Sequence, residues 1–165
     1  MLSGLDHDME RSSPGIFFIV TLIVFLLDQA SKFFLAAWIR PGTVVELIPG
    51  VLNLVQVKNT GVAFGLFAHH LTWTRYFFSA INLFAAVFLF FLARKTSWPK
   101  AVCYGLIAGG ALGNFVDRFF RGGVSDFIDL HLGPYHWPAF NLADSAITIG
   151  VLLYLGISFK RASSG

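Results

Sequence analysis

Charge is scarce in this chain. Only 13% of its 165 residues are Asp, Glu, Lys or Arg, against about 25% in an average soluble domain. The twelve Lys and Arg stand against nine Asp and Glu and form no long basic block, which argues against a nucleic-acid partner. Cysteine is nearly absent as well. The single Cys103 excludes an intrachain disulfide. It lies inside an apolar run, where the thiolate that a nucleophile needs is disfavoured, so it reads as a small packing residue. Several catalytic patterns are missing. There is no His-Glu-x-x-His pair for zinc and no Gly-x-Ser-x-Gly elbow. No glycine loop is built to cradle phosphate, and Ser31 and Lys32 are adjacent and therefore on different helix faces. His69, His70, His131 and His136 form no helical metal pair and read as interfacial, so no metal or other cofactor is expected. Met1 to Arg11 is mixed in charge, and the apolar run behind it has no good small-residue cleavage site, so a cleavable leader is not expected.

What is abundant is apolar surface. The hydrophobic fraction is 56%, with 19 Phe, more than a single small domain can hide from water. Lipid removes the difficulty. Four apolar segments, about 16–38, 76–93, 101–117 and 140–159, approach the ~20 residues a transmembrane helix needs. One membrane domain, 1–165, with both termini on one side is expected. Arg94, Lys95 and Lys100 lie in the loop between the second and third spans, and Lys160-Arg161 begins the tail. By the positive-inside rule these predict cytoplasmic termini. The segment 40–74 carries turn signals at Pro41-Gly42, Pro49-Gly50 and Asn59-Thr60-Gly61. Its apolar stretches Thr43–Ile48 and Val51–Val57 predict short strands in a small extracytoplasmic β-sheet. An amphipathic surface helix over Phe64–Leu71 should follow. No internal repeat is evident.

Acids within or beside such spans are costly and mark function. With a rise of about 1.5 Å per residue, Asp28 lies roughly 18 Å from Ile16 and Lys32 roughly 24 Å. Asp117 ends the third span, Asp144 lies a turn inside the fourth, and Asp126 lies in the connection between them. An antiparallel bundle therefore gathers Asp28, Asp117, Asp126 and Asp144 in its outer half. Asp28 and Lys32, four apart, can pair on one helix face. Gly105, Gly109 and Gly113 form a small-residue stripe for close helix approach, leading to Asn114, Asp117 and Arg118. Asn141 can cap the fourth helix. Two carboxylates forced together split their titration, one keeping a proton and the other ready to activate water. Spacing leaves open whether Asp117 or Asp126 partners Asp144, and it equally allows a proton-coupled small membrane transporter using the same acids.

Five motifs carry a resemblance. Asp28-Gln29-Ala30-Ser31-Lys32, Asn59-Thr60-Gly61-Val62-Ala63-Phe64, Gly109 through Arg118, Val124-Ser125-Asp126-Phe127 and Phe140-Asn141-Leu142-Ala143-Asp144 resemble, in order, those of lipoprotein signal peptidase, also called signal peptidase II. The resemblance implies an all-α integral membrane protein of four transmembrane helices with a small extracytoplasmic sheet and a surface helix. It further implies an intramembrane aspartic protease of the bacterial inner membrane, its site near the periplasmic face. Such an enzyme cuts prolipoproteins just before a diacylglyceryl-modified cysteine. The implied dyad is Asp126 and Asp144, with Asp117 in support, and with Asn59, Gly61, Asn114 and Arg118 touching substrate or the antibiotic globomycin. The expected partners are lipid-modified prolipoproteins and membrane lipid, with the enzyme acting as a monomer. A transporter would instead be expected to show an internal repeat.

Overall fold

The computed structural model describes residues 14–61 and 71–163. The chain forms helices α1 (Pro14–Trp38), α2 (Leu71–Ala93), α3 (Trp98–Val116) and α4 (Leu142–Ala162). Strands β1 (Val45–Ile48) and β2 (Leu52–Asn59) lie between α1 and α2, and β3 (Val124–Leu132) and β4 (Tyr135–His136) between α3 and α4. The surface helix expected at Phe64–Leu71 falls largely outside the described residues.

Three helices, α1, α2 and α4, are long and apolar enough to cross a membrane. Their outward faces are apolar rather than charged: Phe18, Leu22, Phe33, Phe84, Leu152 and Phe159 are all exposed. A soluble protein does not expose a continuous surface of this kind, and lipid is the solvent that suits it. The fourth helix, α3, differs. At 19 residues it is the shortest, it carries four glycines, and it packs against each of the other three helices. Its buried positions run from Ala101 through Gly105, Gly109 and Gly113 to Asn114.

The glycines decide how closely α3 can be approached. A methyl at Gly105 would meet Val20 Cβ at 2.8 Å, and one at Gly109 would meet Val24 Cβ at 2.7 Å. One at Gly113 would collide with the Asp28 carboxylate. The stripe read from the sequence therefore faces α1, and its last member makes room for a charged group rather than for backbone. Gly110 lies against the Ala143 carbonyl of α4, and Gly150 of α4 returns the contact, with Cys103 O 2.9 Å from where its Cβ would stand. At the other end of the bundle Phe17, Ala86, Ala101, Tyr104, Ala108 and Ala111 form an apolar core.

The helices end at a four-stranded antiparallel sheet, order β1-β2-β3-β4. It joins the C-terminal ends of α1 and α3 to the N-terminal ends of α2 and α4. Register places Val57 opposite Asp126, Asn59 opposite Val124 and Asn53 opposite Asp129. One expectation is corrected here. Asp126 does not lie in a loop: it sits in the nine-residue β3, which the sequence reading missed together with β4. α3 ends at Val116, and its C-cap Asp117, helical in backbone and bonded through its N–H to the Gly113 carbonyl, is fully buried. A π-helical turn, Asp117–Arg121, follows. Gly122, with φ 75°, closes that turn in the left-handed region.

Candidate active site

Where the sheet meets the helices, the polar residues that the apolar spans cannot tolerate are collected in two adjoining clusters. The first is ionic. Lys32 reaches from α1 with its Nζ 2.8 Å from Asp28 Oδ2 and 2.8 Å from Asp117 Oδ2. Asp28 and Asp117 are 0% exposed and Lys32 is 3% exposed. Buried charges persist only when paired and hydrogen-bonded. Here Arg121 adds a second ion pair to Asp117, the Ala143 N–H donates to Asp28 Oδ1 at 3.0 Å, and Gln29 donates to Asp28 Oδ2 at 3.1 Å. Two cations thus meet two anions. The expected Asp28–Lys32 pair is present. Arg118, although adjacent in sequence, forms no ion pair with Asp117, which pairs with Lys32 and Arg121. Arg118 lies over the Phe78 ring instead, 5.8 Å from its centroid.

The second cluster holds two carboxylates and three amides. Asp126 is 2% exposed. Its Oδ1 accepts from Asn141 Nδ2 at 2.7 Å and its Oδ2 from Asn59 Nδ2 at 2.9 Å. Asp144 Oδ1 accepts from Asn114 Nδ2 at 2.8 Å, and its Oδ2 from the Asn141 backbone N–H at 3.3 Å. Every carboxylate oxygen of the two acids therefore faces an amide N–H. No cation forms an ion pair with either acid among the described residues.

The orientation of the three amides has a physical cause, since each oxygen end is already claimed by another donor. Asn59 Oδ1 accepts from the Gly61 N–H at 2.8 Å. Asn141 Oδ1 accepts from the Asp144 N–H at 3.0 Å, capping α4. Asn114 Oδ1 accepts from Lys32 Nζ at 3.3 Å. With the oxygens engaged, the NH2 ends must point at the carboxylates. Gly61 fits its place for two reasons: φ is 79°, and a Cβ there would lie 3.0 Å from the Phe78 ring.

Asn141 ties the halves together. Its side chain donates to Asp126 and its backbone to Asp144, so one residue fixes both acids. Lys32 in turn joins the ionic cluster to the amides through Asn114. Burial pushes the Asp126 carboxyl above its ordinary value. The amide bonds of Asn59 and Asn141 and the attraction of Lys32 oppose that rise, whereas the nearby charge of Asp144 adds to it. Asp144 opens onto a cleft of about 410 Å³ lined by Trp137, Phe140, Ile149 and other residues of α4 and the sheet.

The candidate site residues Asp28, Lys32, Asn59, Asn114, Asp117, Asp126, Asn141 and Asp144 meet at this end of the bundle, and Gly61 and Arg118 both lie against Phe78. Some were missed there. Gln29 and Arg121 complete the ionic cluster, and Arg121 is legible afterwards as the residue four beyond Asp117. A separate clip was also missed. Asp129 accepts from Asn53 Nδ2 at 2.9 Å and from His136 Nδ1 at 2.8 Å, and the His136 ring stacks on His131 with centroids 4.7 Å apart. Burial works to raise the Asp129 carboxyl, but the bonds from His136 and Asn53 outweigh it and hold the group below its ordinary value.

Known proteins share both the sequence and the fold of this chain. The family model described as Signal peptidase (SPase) II matches residues 20–160. The lipoprotein signal peptidase of Janthinobacterium sp. (strain Marseille) is 40% identical over 163 residues, 98% of each chain. That of Thermodesulfovibrio yellowstonii is 43% identical over 153 residues, covering 93% of this chain and 97% of its own. A solved bacterial membrane enzyme, obtained by the in meso method at 2.3 Å resolution, superposes with a TM-score of 0.77 at 34% identity over 91% of both chains. A second, at 1.9 Å, gives a TM-score of 0.76 at 33% identity. With its whole length accounted for by such relatives, this chain belongs to the signal peptidase II family.

Proposed function

We propose that the protein is an intramembrane aspartic endopeptidase that removes the signal peptide from diacylglyceryl-modified prolipoproteins, cutting just before the lipidated cysteine. Family membership supports the substrate class. The observation that carries the chemistry is Asn141 bonded to both acids, through its side chain to buried Asp126 and through its backbone N–H to half-buried Asp144.

In this reading one carboxyl of the dyad keeps a proton and the other is ionised. The ionised group takes a proton from water as the water attacks the scissile carbonyl. The protonated group polarises that carbonyl and then gives its proton to the leaving amine. The surroundings suit such a division. Amide N–H groups stabilise a carboxylate without neutralising it, and the burial that raises Asp126 favours one shared proton on the pair. The lysine that could have quenched the dyad is committed to Asp28 and Asp117. The reaction needs no metal. Asp117, Asp28 and Lys32 act as support. Asn59, Gly61, Asn114 and Arg118 line the substrate side, where globomycin would also bind, and the cleft beside Asp144 suits an apolar segment of the substrate.

All four helices cross the inner membrane in this reading, with α3 enclosed by the other three, both termini cytoplasmic and the dyad near the periplasmic face. The test is cleavage of a purified lipidated prolipoprotein by Asp126→Asn and Asp144→Asn variants that still insert. Each should lose about 10²–10⁴-fold in turnover. Near-normal turnover by either would remove that residue from the dyad. Proton-linked solute uptake without cleavage would favour the transporter.

A further inference from the structure

The end of the bundle that holds the acids also carries cations that the chemistry does not use. Between Lys58 and Arg75 the sequence contains no Asp or Glu. These two residues, from β2 and the start of α2, converge on the turn after α3. A Cβ placed on Gly122 would have only two non-neighbouring atoms within 4 Å among the described residues, Arg75 Nη1 at 3.7 Å and Lys58 Nζ at 3.9 Å. Neither side chain forms an ion pair among the described residues. Arg75 is anchored by donation to the Phe119 carbonyl, and its Nε, like that of Arg118, is buried without an acceptor. The one acid of this turn, Asp117, is already shared by Lys32 and Arg121.

Cations gathered around an open niche with no acid to balance them repel one another unless an anion joins them. The geometry admits a single small anion. Arg75 Nη1 and Lys58 Nζ lie 3.7 and 3.9 Å from one point over Gly122, so one phosphate, whose oxygens accept charge-assisted bonds of about 2.8 Å, can reach both. The surroundings say where the phosphate comes from. Trp73, Tyr76, Phe119 and Phe120 around the niche are exposed. Aromatic side chains beside cations at the end of an apolar helix mark headgroup depth in a bilayer.

We propose that Lys58 and Arg75, over the Gly122 turn, form a binding site for the phosphodiester of an anionic phospholipid of the leaflet at the sheet end. The site would tether this turn, and with it Asp117 and Arg121, to the membrane surface. It lies outside the amide-lined pocket and takes no part in bond cleavage.

The test uses the full chain in nanodiscs containing phosphatidylglycerol and phosphatidylcholine, with retained lipid counted by native mass spectrometry. The wild type should retain phosphatidylglycerol in preference to phosphatidylcholine, more weakly as salt rises. Removing one cation near a membrane surface costs about fivefold in attraction to anionic lipid, so the charge reversal Lys58→Glu should cost roughly twentyfold. Lys58→Gln, milder at an exposed position, should fall between the two. Arg75 also holds the Phe119 carbonyl, so Arg75→Gln is read only alongside an unchanged melting curve. Equal retention of the two lipids by the wild type would overturn the proposal, as would an unchanged preference in Lys58→Glu. Displacement of the lipid by excess inorganic phosphate would reassign the niche to a soluble anion and sink the lipid assignment. The readout does not depend on cleavage, so a protein that cleaves but shows no lipid preference fails this proposal and leaves the peptidase reading intact.

Discussion

Replacing Asn141 with alanine removes three things together: the 2.7 Å bond to Asp126, the side-chain cap on the Asp144 N–H, and a 3.4 Å contact to Asn114. Their effects fall on different observables. Loss of a helix N-cap costs about 1 kcal/mol of stability. Loss of a hydrogen bond to a charged group is worth about 1.5–3 kcal/mol, and if that bond is made to the reacting form of the dyad it corresponds to about 10–100-fold in rate. The bond also lowers the Asp126 carboxyl against the rise caused by burial. Without it the group titrates higher still, and the acidic limb of the pH–rate profile should move to higher pH. Asn141→Ser separates the causes, because serine caps a helix well but is too short to reach Asp126. The assay is cleavage of lipidated prolipoprotein, with kcat/KM followed across pH and thermal melts in detergent alongside. The alanine variant should lose both stability and rate. The serine variant should recover stability while staying slow, with its acidic limb displaced. A serine variant of normal rate and unshifted profile would show that Asn141 only caps α4, and the link between the acids would have to lie elsewhere.

Lys32→Met leaves Asp28 and Asp117 buried beside each other with their shared cation gone, and should destabilise the protein by about 3–5 kcal/mol, read as a lowered melting temperature; a melt like the wild type's would show that water reaches these acids. Because burial holds the Asp126 carboxyl above its unfolded value, the folded state binds that proton more tightly and loses stability as pH rises between the two values. The melting temperature of Asp126→Asn relative to wild type should therefore climb as pH rises above the ordinary aspartate value of about 4, and a difference independent of pH would contradict the upward shift. A cysteine placed at Thr96, between α2 and α3, should react with a membrane-impermeant thiol reagent only after the cells are opened, and labelling in intact cells would invert the topology.

The long apolar helices were the most legible part of the fold. The spans expected at 16–38, 76–93 and 140–159 correspond to Pro14–Trp38, Leu71–Ala93 and Leu142–Ala162, because lipid rewards unbroken apolar length and little else competes with it. The two strands before α2 were also readable, since turn residues bracket Val45–Ile48 and Leu52–Asn59. The strand β3 was not. Aspartate is depleted from strands, and β3 holds two, Asp126 and Asp129, which made it resemble a loop. Each is there to meet a partner that sequence spacing cannot reveal: Asn59 and Asn141 for the first, Asn53 and His136 for the second. The choice between Asp117 and Asp126 was illegible for a similar reason. Asp117 lies one turn beyond Gly113 on the same buried helix face, and its partners Lys32 and Arg121 come from α1 and from the π-helical turn, which spacing does not reveal. Family resemblance, not spacing, separated the two acids.

The enclosure of α3 has a consequence for how the protein is made. In the four-span reading α3 carries Asn114, leads into Asp117 and packs against all three other helices. Its polar end is fully sheltered only once α4 has arrived to cover Gly110. The residues that assemble the pocket are thus the last to find their neighbours during biogenesis. A substitution that merely thickens the glycine stripe should then be read out by quality control, as chains degraded before they reach maturity, rather than as a slow enzyme.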